Sequence, residues 1–522
     1  MSNRPDIVIC MSDQMRFDLR KSKGFALDTM PYLDSLSSEG LEFDKAYTPN
    51  PTCMPARVSM FTGRVPSAHH VRTNHNAQDA VYTQDMLDVL KSLGYRTALC
   101  GKNHSHLRPS DFDFARVNGH LGIEDGHEIN EKEQEVDDFL KTLDFCDSAT
   151  PSPQSVEEQL PYRNVSDFFT FFDKCRAEGK PSFTWLSFAE PHNPYQVPYP
   201  YFDKFPPHSL PEIETSRDDL EGKDQSYEFM DWAWDRVYKE ERKERILRDR
   251  SNYYGMLSLI DDQIRRLVEG IRARGALDDT LIIILSDHGE FIGEYGLIRK
   301  GCNVAQLLAH IPMVILGHGV SQRGIDGKDF VSIIDIFPTI CDMLGVDIPF
   351  GVQGKSFLPI LSGDRYPEKD FSIAYSESGF GGLFWDREKD ALTPVEEGAT
   401  ECYSTFDCLN TWTQSGQTRM VVKGHYKYIL NMMGQEWLYD IEKDPLERNN
   451  LIGREDMIPI AYDLSRELAA EMMRKSDDIP SCAHRYRTKN HPRRYFFDDE
   501  FHVEKDPTVV YHPIECPKRR DK

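Results

Sequence analysis

Along this chain, short unbroken apolar runs alternate with longer amphipathic ones. Residues 6–11 are apolar at every position from Ile7 to Met11, the pattern of a strand buried on both faces of a parallel sheet. Residues 280–285 form a second uninterrupted run, and 95–100 and 182–188 read as two further strands. Between these runs, 31–38 and 83–93 predict helices. A long amphipathic helix is predicted where Tyr253, Met256, Ile260, Ile264, Leu267 and Ile271 recur at spacings of three and four. Gly275 closes it, immediately before the run at 280–285. This rhythm predicts an α/β fold, a large and mainly parallel sheet flanked by helices.

The stretch at 105–180 is polar and acidic, and 194–211 is rich in proline and aromatics. Both are expected to leave the sheet and line a site. After about residue 370 the pattern changes. Residues 419–430 and 436–441 predict antiparallel strands, and 459–474 a helix packed on them. The expected division is a catalytic α/β domain over 1–370, a C-terminal α+β subdomain over 371–480 and an arm over 481–522. The arm's basic cluster is interleaved with aromatics, so it is expected to lie on the body or on a second copy in a homo-oligomer.

Composition narrows the function classes. A hydrophobic fraction of 39% and an aromatic fraction of 11% suit a globular protein. The net charge of -24, from 62 basic and 86 acidic residues, disfavours nucleic acid and anionic membranes. An anionic substrate would need a local positive site. No run approaches the roughly 20 apolar residues of a membrane helix, and the N-terminus has no signal-peptide core. The 11 cysteines are odd in number and scattered, some inside apolar runs. They read as reduced thiols, and the expected location is the cytoplasm.

Each predicted parallel strand ends in reactive residues: Ser12-Asp13-Gln14, Gly101-Lys102-Asn103-His104, Glu190-Pro191-His192 and Ser286-Asp287-His288-Gly289. Sites in open α/β sheets form beyond the carboxyl ends of the strands. Asp13 alone would read as a helix cap and His288 alone as a turn residue; the convergence of all these endings favours a site. Asp13, Asp287 and His288 offer two hard oxygens and one imidazole, a set for Ca²⁺, Mg²⁺ or Mn²⁺. No clustered thiolates point to structural zinc.

The segment Cys53-Met54-Pro55-Ala56-Arg57, followed by Thr62-Gly63, resembles the signature of the type-I sulfatases of the alkaline phosphatase superfamily. The resemblance extends to Asp13, to Gly101-Lys102 with His104, to His192 before Pro194, to Asp287-His288 and to Lys300. In the C-terminal part it includes Tyr439-Asp440, Asp444-Pro445 and Asn450-Leu451. It implies an alkaline-phosphatase-like fold and hydrolysis of a carbohydrate, alkyl or aryl sulfate. It also implies a formylglycine made from Cys53 by a formylglycine-generating enzyme, and one divalent metal, Ca²⁺ foremost, held by Asp13, Asp287, His288 and the modified Cys53. The hydrated aldehyde would attack sulfur with one hydroxyl and release sulfate through the other. Gln14 and His288 depart from the commoner Asp and Asn, as in the choline-sulfatase and phosphonate monoester hydrolase branches. The Gly-Lys-x-His pair favours sulfate over phosphonate.

Arg57 stands one helical turn from Cys53, so both can face one site. With Lys102 it is assigned to holding the nucleophile and balancing charge. His104 is the expected base for sulfate release, and His192 and Lys300 the expected sulfate contacts and proton donors. Asn74 is a candidate substrate contact, with a loop cap the equal alternative. His69, His70, His75 and His106 are expected in loops or at the surface. The alcohol half of the substrate would meet the excursions, 379–390 and aromatics such as Tyr195, Tyr199 and Tyr201. The competing functions are a phosphonate monoester or phosphodiester hydrolase on the same fold and a non-catalytic binder of sulfated glycans.

Overall fold

The computed structural model describes residues 4–301, 303–380, 416–475, 484–486, 492–497 and 511–513. Most of the predicted arm and most of 379–390 lie outside them. Of the arm, Tyr495 lies on the body, its hydroxyl donating to the Ser356 carbonyl oxygen at 2.8 Å. The central sheet contains β1 (Asp6–Asp13), β2 (Leu41–Phe43), β3 (Arg96–Gly101), β4 (Phe114–Arg116), β5 (Ser182–Pro191), β6 (Thr280–Ser286), β7 (Met313–Gly317) and β8 (Gly324–Asp326). Its spatial order is β8-β2-β7-β6-β1-β5-β3-β4. Strands β6, β1, β5, β3 and β4 are mutually parallel, and β7 runs antiparallel to β6 and β2.

The apolar runs follow from burial on both faces. On β1, Ile7, Ile9 and Met11 enter one core with Met60 and Phe61. Val8 and Cys10 enter the opposite core with Phe168, Met256 and Ile260. Alternation therefore serves two layers, and no polar position is left on either face. The helix α1 (Cys53–Thr62) covers the first face. Helices α2 (Leu160–Ala177) and α3 (Arg242–Ala273) cover the second.

Two expectations need correction. The 105–180 stretch is not wholly an excursion, because α2 within it buries Val165, Phe168, Phe172 and Cys175 against the sheet. The 194–211 aromatics are largely core. Tyr195 and Tyr201 are buried, with hydroxyls bonded to Glu290 and Asp262, and only Tyr199 is exposed.

A second sheet of four antiparallel strands, β9 (Ile373–Ser378), β10 (Thr418–Lys423), β11 (Tyr426–Asn431) and β12 (Glu436–Asp440), follows. Helix α4 (Ile458–Lys475) packs Leu464 and Leu468 on Val421, Tyr428 and Leu438. No helix among the described residues is long and apolar enough to cross a membrane. The six described cysteines that can be assessed are all buried and unpaired.

Candidate active site

The carboxyl ends of β1 and β6 are locked together. Between Ser12 and Asp13 the register with β5 slips, and Gln14 takes a left-handed φ of 70°. This turn sends the Gln14 N–H to Asp287 Oδ1 at 3.0 Å and the Met15 N–H to Ser286 Oγ at 2.9 Å. Asp287 Oδ1 also accepts from the His288 N–H at 2.9 Å. Gly289 lets the chain leave the strand, since a Cβ there would stand 1.9 Å from the Leu307 carbonyl oxygen.

His288 Nδ1 lies 2.8 Å from the Gly289 carbonyl oxygen. A carbonyl only accepts, so Nδ1 carries the proton and the Nε2 lone pair faces the site. There Nε2 is 3.2 Å from Cys53 Sγ, and Asp13 Oδ1 is 3.4 Å from the same sulfur. Cys53 opens α1, which is buried along its whole length. Asn74 Oδ1 accepts from the Met54 N–H at 3.0 Å, so its side chain anchors the start of this helix. The ligand atoms of Asp13, Cys53, Asp287 and His288 all lie within 4.8 Å of one another, and all four residues are buried. Two carboxylates and an imidazole nitrogen beside the Cys53 side chain form a set that a divalent cation could occupy.

Cationic groups surround this set. Arg57 Nε donates to Asp287 Oδ2 at 2.9 Å and Nη1 to Ser187 Oγ at 2.8 Å, while Nη2 lies 3.6 Å from Asp13 Oδ2. Lys102 Nζ bonds Asp13 Oδ2 and lies 2.7 Å from His120 Nε2. Gly101 permits this close approach, with φ of 104° and Ser187 O only 2.0 Å from where a Cβ would stand. His120 stacks on His192, with ring centroids 3.9 Å apart. His192 Nδ1 is 2.7 Å from the Asn193 carbonyl oxygen, which leaves its Nε2 unprotonated. Lys300 Nζ donates to Gln14 Oε1 at 2.7 Å, and Gln14 Nε2 bonds Glu290.

The charges shift one another. Burial and Asp13 push the Cys53 thiol up, yet Lys102, Lys300 and His288 outweigh them and bring it to about 7. Burial opposes ionisation of Asp13, but Lys102, Arg57 and Lys300 hold it well below the usual carboxylate range. Burial and the Asp13 charge raise Asp287. His104, His120 and His192 are held well below the usual imidazole value, first by burial and then by neighbouring cationic groups such as Lys102 or Lys300. All three are therefore neutral at pH 7.

The fold thus gathers Asp13, Cys53, Arg57, Lys102, His192, Asp287, His288 and Lys300 around one centre. His104 makes no direct hydrogen bond to Cys53; it sits beside them with a positive φ and a buried Nδ1 that has no partner. Asn74 takes the capping role. His69 and His106 are buried rather than on the surface. Ser59 lies 2.9 Å from His69, and Asp85 lies 3.3 Å from His106. Sequence reasoning missed His120, Ser187 and Glu290.

The sulfatase family model matches residues 5–346, well over half of the chain. The chain belongs to the sulfatase family. It is 27% identical over 482 residues to an arylsulfatase of Clostridium perfringens, covering 87% of this chain and 91% of that one. It is 24% identical to a choline-sulfatase of Rhizobium meliloti, covering 86% and 83%. Its fold matches that of a phosphonate monoester hydrolase from Silicibacter pomeroyi with a TM-score of 0.74 and 19% identity, covering 94% of this chain and all of that one. The protein is a sulfatase of alkaline-phosphatase-like fold.

Proposed function

We propose that this sulfatase hydrolyses a carbohydrate, alkyl or aryl sulfate monoester with a formylglycine made from Cys53, beside one divalent cation. The observation that carries the reading is the placement of Cys53 Sγ 3.4 Å from Asp13 and 3.2 Å from His288, with Lys102 and Arg57 on the same carboxylates. Asp13, Asp287 and His288 would hold the cation with the modified Cys53. Oxygen-rich ligands favour Ca²⁺, with Mn²⁺ or Mg²⁺ as alternatives. When bound, the cation supplies Lewis-acid polarisation and eases deprotonation of a neighbouring hydroxyl.

The chain's own residues do the rest. Arg57 fixes Asp287 and balances the carboxylates. Lys102 directs an N–H toward the nucleophile's position while anchored on Asp13. His104, neutral and unpartnered at Nδ1, accepts the proton lost when sulfate is released. The Lys300 ammonium faces the sulfate and its leaving oxygen. His192, neutral with its proton on Nδ1, offers only an acceptor at Nε2 and is not placed as the expected proton donor. Maturation by a formylglycine-generating enzyme, a division near residue 370 and a cytoplasmic location belong to the same reading. The unpaired buried cysteines support the location.

Sulfate is favoured over phosphonate because Lys102 stands on Asp13 and because curated relatives at 27% and 24% identity act on sulfates by name. Matched nitrophenyl sulfate and phosphonate monoester substrates test this. Sulfate should lead in kcat/KM by at least about tenfold, ~1.4 kcal/mol; a phosphonate preference would overturn the reading.

Lys300→Ala removes one charge-assisted contact from a buried site and should lower turnover about 30- to 1000-fold, roughly 2–4 kcal/mol, with fold and metal content retained. Parental turnover would leave Lys300 as no more than a partner for Gln14.

A further inference from the structure

Lined by His120 and His192 is a small pocket with room for about one water. Leu140 and Met256 form its apolar wall, and Glu190, Gln196 and the two histidines its polar one. Three buried polar atoms of this lining have no protein partner: His120 Nδ1, Glu190 Oε2 and Gln196 Oε1. Glu190 and Gln196 are each only 4% exposed.

The hydrogen-bond roles of these atoms are fixed by chemistry. An ammonium only donates, so His120 Nε2, 2.7 Å from Lys102 Nζ, must accept. His120 therefore carries its proton on Nδ1, which becomes a buried donor. Gln196 Oε1 is a buried acceptor, and so is Glu190 Oε2 while its carboxylate is ionised. One donor and two acceptors around one cavity complement a water that accepts once and donates twice, and three bonds is the usual number for a buried water.

We infer that Glu190 and Gln196 hold an ordered water that fixes the tautomer and ring orientation of His120, and through His120 the Lys102 ammonium. Glu190 is thus a positioning residue. Burial pushes its carboxyl up to about 7, and a donating water relieves that strain on its charge. Because His120 also stacks on His192, the same water orients two of the residues around the centre. Nothing in the sequence joins Glu190 to Lys102; the link exists only through the cavity.

The inference rests on Lys102 belonging to the reacting site, and its experiment separates the two. A crystal structure of the wild-type protein should show a water within hydrogen-bond distance of His120 Nδ1, Glu190 Oε2 and Gln196 Oε1. Nitrogen-15 spectra of histidine-labelled wild-type protein should report His120 protonated on Nδ1. Glu190→Gln, which keeps an acceptor, should stay within about threefold of parental kcat. Glu190→Leu should lose about 10- to 100-fold with metal retained, the scale seen when an outer hydrogen-bond partner is removed. A dry cavity or an Nε2-protonated His120 would overturn the inference even where both variants fail to fold. So would equal kcat in folded Glu190→Leu. Should no sulfate ester be turned over, the water and the tautomer still decide the bridge.

Discussion

Asp287→Ala is expected to lose its metal and its activity together. The Asp287 carboxylate does more than offer a ligand. Its Oδ1 accepts the backbone N–H groups of Gln14 and His288, and its Oδ2 the Arg57 Nε–H. Alanine therefore removes a hard ligand, frees the turn after β1 and leaves Asp13 as the one carboxylate beside Arg57. Loss of a metal's charge stabilisation is worth several kcal/mol, so turnover should fall by at least about 10³-fold, ~4 kcal/mol. Elemental analysis of the purified variant and its turnover check this together. A variant that keeps parental activity, or a wild type that keeps it after exhaustive chelation, would remove the metal from the account.

Arg57→Ala should damage stability and rate at once. The guanidinium is fully buried and bonds Asp287, Ser187 and the carbonyl oxygens of Lys102 and Asn103. Removing one partner of a buried ion pair strands the other, at a cost of about 3–5 kcal/mol. The thermal midpoint should drop clearly. What remains folded should turn over at least about 100-fold slower, since the charge balancing the carboxylates is gone. Arg57→Lys should not restore either property, because an ammonium lacks the planar fork that reaches four acceptors. Parental stability in Arg57→Ala would show that the carboxylates are balanced elsewhere.

Much of this site could be read from the chain because parallel strands buried on both faces are unbroken apolar runs, and the residue after each run is where chemistry can sit. Asp13, Lys102, His192, Asp287 and His288 were all found in this way. Shorter elements were missed. β2 is three residues long, with Glu42 at its centre, and β7, apolar from Met313 to Leu316, is only five residues long. The helix α2 was masked by polar neighbours, although its buried phenylalanines Phe168, Phe171 and Phe172 stand at helical spacing.

His120 had no local signal. It sits in the turn between the two-residue strands Asn118–Gly119 and Gly122–Ile123, and only the fold brings it to Lys102. The buried roles of His69 and His106 likewise depend on Ser59 and Asp85, partners that no spacing rule selects. Asn74 shows the converse: both a cap and a substrate contact were open to it, and its bond to Met54 gives it the cap.

The central claim is the chemistry at Cys53, and the mass of the peptide that carries it tests that claim most directly. Protein produced together with a formylglycine-generating enzyme should yield a peptide in which Cys53 has lost its sulfur and two hydrogens and gained one oxygen. The converted fraction should rise and fall with activity across preparations. Fully active protein in which Cys53 remains a thiol would contradict the account.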